Sequence, residues 1–77
     1  MARITNFVRG RVERMRLHDE IDATYYAQEH DGRKLLQLNT AGRKTRVIQD
    51  KVSQSIQLDE GAARQLFDIL RDHFNFR

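Results

Sequence analysis

Side chains able to do chemistry are present in this chain of 77 residues, but their spacing excludes most reaction classes. His18, His30 and His73 lie far apart, with no His-x-x-x-His or comparable ligand pattern, so no metal centre is expected. Ser53 and Ser55 sit in an alternating segment rather than at a Gly-x-Ser-x-Gly elbow, which leaves a serine nucleophile without a setting. The chain contains no cysteine, which excludes a thiol nucleophile, a zinc knuckle and a disulfide framework. Asp19, Glu20 and Asp22 lack the glycines and alternating ligands of a calcium loop and read as a solvated acidic entry to a strand. Catalysis and a bound cofactor are therefore not expected.

Non-covalent binding is better supplied. The tripeptide Gly-Arg-Lys occurs twice, at Gly32-Arg33-Lys34 and Gly42-Arg43-Lys44, on either side of one apparent strand. Six or seven extended residues would set two basic turns about 20 to 25 Å apart. Arg46 and Lys51 add charge further along, while Gln37, Asn39, Ser53, Ser55 and Gln57 supply amides and hydroxyls between them. Arginine and lysine meet phosphates, and amides and hydroxyls meet sugars and base edges, with little sequence preference. Tyr26 is the candidate for stacking on a base; its alternative is a cross-strand packing residue.

Charge is distributed in blocks although the net value is only +3. Residues 1–18 carry five arginines against Glu13, residues 19–32 carry five acids and no Lys or Arg, and residues 33–51 carry six basic side chains against Asp50. Such stripes suit a polyanion, and equally a protein surface of complementary charge.

The elements that must position these groups follow from periodicity. In residues 21–28, Ile21, Ala23, Tyr25 and Ala27 alternate with polar positions, the period of a half-buried strand with Tyr25 on its covered face. Asp31-Gly32 is a tight-turn pair, and the following run sets Leu36 and Leu38 opposite Leu35, Gln37 and Asn39, which completes a hairpin. Lys44–Gln49 reads as a third strand. Val52–Leu58 reads as a fourth, with Ile56 and Leu58 on one face and Ser53, Ser55 and Gln57 on the other. After Leu58 the period changes to about 3.6: Asp59 is an N-cap, and Ala63, Leu66, Phe67, Leu70 and Phe74 form one apolar stripe of a helix over 59–76. Phe74 and Phe76 read as core or dimer contacts. Residues 1–18 are either a basic arm that orders on nucleic acid or an edge strand with an extended continuation.

This order of hairpin, strand, basic turn, strand and capped helix resembles the positive cofactor four type of transcriptional coactivator and its bacterial relatives, small dimers that bind single-stranded DNA. The likeness rests on "ATYYAQEHDGRKLLQL" and "SIQLDEGAARQL" and covers residues 20 to 70 or so, about two thirds of the chain. It departs from that family in the turn "IQDKVSQ", which lacks glycine, and in Ala63, which stands where an early helix aromatic is usual. The chain also resembles short bacterial proteins labelled methionyl-tRNA formyltransferase, but it offers no room for a folate site and no Asn, His and Asp grouping for formyl transfer.

The expected protein is thus a single α+β domain over 1–77: a curved antiparallel sheet of about four strands followed by one C-terminal amphipathic helix packed on it. A chain of this length buries only about 60% of its unfolded surface, a shortage a homodimer would relieve. Its expected partner is single-stranded or melted DNA, with RNA as a related possibility, and its expected role is that of a transcription or DNA-processing cofactor. The alternative is a small protein-interaction module, such as a phage-type inhibitor of a nucleic-acid defence complex. Without an apolar signal or membrane segment, a cytoplasmic location is expected.

Overall fold

The computed structural model describes residues 1–41 and 52–77. Among them the chain forms β1 (Ala2–Ile4), β2 (Ala23–His30), β3 (Arg33–Thr40), β4 (Gln54–Leu58) and α1 (Glu60–Phe74). The four strands make one sheet in the order β1-β4-β3-β2, followed by the single C-terminal helix. The α+β architecture is as expected, but the sheet is mixed rather than wholly antiparallel, because β1 pairs parallel with β4. The N-terminal segment supplies this edge strand, and the remainder of residues 5–22 contains neither helix nor strand. The third strand expected over Lys44–Gln49 falls outside the described residues.

Local chemistry explains each element. Asp31 and Gly32 both have positive φ, 52° and 74°, the geometry of a two-residue hairpin turn whose twist matches the flanking strands. That turn fixes the register of β2 on β3, from His30 opposite Arg33 to Ala23 opposite Thr40. At the helix start the Asp59 carboxylate accepts from the Ala62 amide at 3.0 Å, satisfying one of the unpaired first-turn donors. At its end Asn75 adopts a left-handed conformation (φ 59°), and the amides of Asn75 and Phe76 both donate to the Arg71 carbonyl.

The register sorts the side chains into two faces. Tyr25, Leu38, Ile56 and Ala2 lie in one row, and Ala27, Leu36, Leu58 and Ile4 in the next, on the side that α1 covers. The helix lies mainly over β3 and β4. Among the described residues only Leu58 and Ala62 are fully buried, at 2% and 0% exposure. Tyr25, expected on the covered face, lies beyond the helix and is 71% exposed. Phe74 and Phe76, expected as core or dimer contacts, are not core: both are exposed, with their rings stacked at 5.5 Å.

The whole chain exposes 7740 Å². A compact monomer of 9.1 kDa is expected to expose about 4,900 Å². Its radius of gyration is 14.6 Å, against about 11.5 Å for a compact domain of this length. Much apolar surface is left uncovered by the single chain.

Candidate nucleic-acid interface

The face turned away from the helix carries the other half of each strand's alternation. One straight row crosses all four strands: Tyr26 pairs with Gln37, Gln37 with Gln57, and Gln57 with Arg3. At about 4.8 Å per strand, this places an aromatic ring and a guanidinium at the two ends of a row about 14 Å across. The adjoining row is Thr24, Asn39 and Ser55, and Gln28 pairs with Leu35 on the other side. Together these residues floor an open depression of about 860 Å³, lined by Arg3, Tyr26, Gln28, Arg33, Leu35, Gln37, Asn39 and Gln57, with Glu29, His30 and Asp31 at the hairpin end. A second hollow continues it past Ser55 to Met1 and Val52.

The amides of this floor are organised among themselves. Gln57 Nε2 donates to Gln37 Oε1 at 2.9 Å, and Gln37 Nε2 donates to Asn39 Oδ1 at 3.0 Å. Ser55 Oγ donates to the same Asn39 oxygen at 2.9 Å. The chain of bonds runs across β4 and β3 and consumes both polar atoms of Gln37. Gln57 Oε1 and Asn39 Nδ2 take no part in it, leaving one acceptor and one donor at its two ends. Side chains tied in this way lose little further rotamer freedom when a ligand arrives.

Of the residues singled out by sequence, Tyr26, Arg33, Gln37, Asn39, Ser55 and Gln57 come together on this face. Lys34 does not: it follows Arg33 in β3, so the pleat sends it to the opposite side. There it lines a separate hollow with Thr5, Asp59 and Glu60. Ser53 precedes β4, where its amide donates to the Thr40 carbonyl at 2.6 Å, and it lines neither hollow of the polar face. Arg43, Lys44, Arg46 and Lys51 lie outside the described residues. Sequence reasoning missed Arg3, because a three-residue strand has too short a pattern to read; its isolated Arg-Ile alternation was the only signal.

The local electrostatics are mixed. Arg3 and Arg33 supply cations, while Glu29 and Asp31 oppose them at the hairpin end, where Asp31 also sits 3.4 Å from His30 Nε2. Among the described residues no group of three or more His, Cys, Asp or Glu side chains is placed to hold a metal ion. Nor is any helix there long and apolar enough to cross a membrane. Comparison with protein-family models, curated proteins and solved structures finds no match for this chain.

Proposed function

We propose that this protein binds single-stranded or locally melted nucleic acid, DNA foremost, on the polar face of its sheet, as a homodimer and without catalysis. The observation that supports this reading is the row Arg3–Gln57–Gln37–Tyr26, which sets a guanidinium and an aromatic ring at opposite ends of a tied amide floor. A strand laid along the depression would present phosphates to Arg3 and Arg33 and a base to Tyr26. The remaining amide positions would meet base edges of any sequence. The surplus of exposed surface over that of a compact monomer supports the dimer. A role as a transcription or DNA-processing cofactor is the corresponding biological reading.

Fluorescence anisotropy with labelled single-stranded DNA, duplex DNA and RNA tests this directly. Single strands should bind most tightly, and log affinity should fall against log salt with a slope of about −0.7 per phosphate contact. Arg3→Ala should flatten that slope by about one contact. No binding to any oligonucleotide at low salt refutes the proposal.

A further inference from the structure

The sheet order β1-β4-β3-β2 leaves two outer strands, β1 of three residues and β2 of eight. Every residue of β2 is exposed, and among the described residues no backbone hydrogen bond reaches its outer edge. Proteins ordinarily blunt an edge of this length with proline, a bulge or lysine. β2 has none of these: its register on β3 is unbroken, the chain contains no proline, and no charged side chain occurs from Ala23 to Gln28.

The hairpin turn dictates which backbone groups face outward. The residues flanking a two-residue turn, here His30 and Arg33, form a hydrogen-bonded pair, and such pairs alternate along the ladder. Gln28, Tyr26 and Thr24 therefore direct their backbone groups toward β3. Glu29, Ala27, Tyr25 and Ala23 direct N–H and C=O to the open edge.

A second copy of the same strand matches that edge. When two antiparallel copies are related by a twofold axis perpendicular to the sheet, one residue must lie opposite itself, because directly opposed side chains share a face. Centring the axis on Tyr26 sets Ala23 against Glu29 and Tyr25 against Ala27, so every outward residue of the strand finds a partner. Centring it on Ala27 would put Ala23 against Asp31, in the turn at φ 52°, and centring it on Tyr25 would put Glu29 against Ile21, outside the strand. The Tyr26 register also opposes a large side chain to a small one, Tyr25 to Ala27, and Asp22 to His30, with no like charges facing each other from 22 to 30.

We infer that two copies pair antiparallel through β2 about a twofold axis at Tyr26, joining their sheets into one of eight strands with a single continuous polar floor. The pairing stands on the edge geometry, and only what the joined floor binds rests on the proposed function. The row then runs Arg3, Gln57, Gln37, Tyr26 and, past the axis, the same residues in reverse. At about 4.8 Å per strand it is about 34 Å long, with two tyrosines adjacent at its centre and a guanidinium at each end. The depression of one chain, bounded on this side by Tyr26, Gln28 and His30, opens into that of the other.

Because the chain contains no cysteine, a single introduced one reports on contact between copies. Opposed residues of a pair without hydrogen bonds stand about 4.5 Å apart at Cα, within disulfide reach. Tyr26→Cys should therefore give a covalent dimer under mild oxidation. Gln28→Cys should not, since its own copy lies about 14 Å away along the strands, beyond the roughly 7 Å limit for a disulfide. Cross-linking at both positions alike, or at neither, overturns the pairing. Ala27→Pro supplies a second measurement, because it removes an outward N–H while leaving the bonds to β3 in place. The twofold axis loses two bonds at once, so the dimer dissociation constant should rise about tenfold to a hundredfold in sedimentation equilibrium. An unchanged dissociation constant overturns the pairing, as does a monomeric mass of the parent at all concentrations, which would leave the edge to a strand of another protein. Titration of the parent with labelled single-stranded DNA separates the two readings. A dimer cross-linked at Tyr26→Cys whose parent binds no oligonucleotide keeps the pairing and refutes the binding face, and a parent that binds DNA but remains monomeric does the reverse.

Discussion

Gln37→Ala removes the middle of the amide chain, and the structure fixes what this should cost. Gln37 receives the Gln57 hydrogen bond at 2.9 Å and donates one to Asn39 at 3.0 Å, both in a partly buried setting. A net value of roughly 0.5 to 1.5 kcal/mol for each of these two bonds gives a loss of about 1 to 3 kcal/mol. A domain of 60 to 100 residues loses about 4 to 8 °C in melting temperature per kcal/mol. A drop of about 4 to 24 °C, about 12 °C for mid-range values, is therefore expected in a circular-dichroism melt at fixed protein concentration.

Gln28→Ala is the matched control. Gln28 lies on the same face, one pleat repeat from Tyr26, and makes no side-chain hydrogen bond among the described residues. Its replacement should change stability by less than about 0.5 kcal/mol. A double-mutant cycle of Gln37→Ala with Asn39→Ala then isolates the bond between them, and a coupling of about 0.5 to 1 kcal/mol is expected. Equal melting of the Gln37→Ala and Gln28→Ala proteins would refute the view that these amides tie β3 to β4.

Three further outcomes follow from the geometry. Asp59→Ala should destabilise the protein by about 1 kcal/mol in urea unfolding, through loss of the carboxylate that caps the Ala62 amide. Gly32→Val should cost more than about 1 kcal/mol, because a β-branched residue is forced to a φ of 74°; an unchanged midpoint would contradict the assigned turn. Tyr26→Ala should weaken single-strand binding by about 1 to 3 kcal/mol in anisotropy titrations, whereas Tyr26→Phe, which keeps the ring, should bind nearly as well as the parent.

The legible parts of this protein were those whose pattern is long enough to declare a period. The hairpin and helix run for eight or more residues each, and their turn and cap are marked by Asp31-Gly32 and Asp59. Leu36, Leu38, Ile56 and Leu58 were assigned to the helix side, and Gln37, Asn39, Ser55 and Gln57 to the other, from alternation alone. What escaped was set by distant contacts. No local signal states that Ala2–Ile4 will pair in parallel with a strand some fifty residues later, so Arg3 had no face until that pairing was known. Tyr25 lies on the helix side of the sheet but is not covered, and β2 is exposed along its whole length, because how far a helix of fifteen residues reaches across a four-stranded sheet is a matter of packing angle, which periodicity does not encode. Lys34 illustrates a different error: charge clustered in sequence was read as charge clustered in space, although adjacent strand residues must diverge.

The short β1 strand matters beyond its length because it belongs to both surfaces. Arg3 enters the polar row and Ile4 the apolar one, and two residues later Asn6 and Phe7 are fastened to Gln65 on the helix. Three residues of parallel pairing are a weak anchor by themselves, so the placement of Arg3 depends on what holds the chain that follows. The polar face, whose amides already satisfy one another, can remain wet in the free protein at little cost. The apolar flank of α1 has no such internal solution: Phe67 and Phe74 stay more than half exposed, and nothing on the same chain satisfies them as the amides satisfy one another.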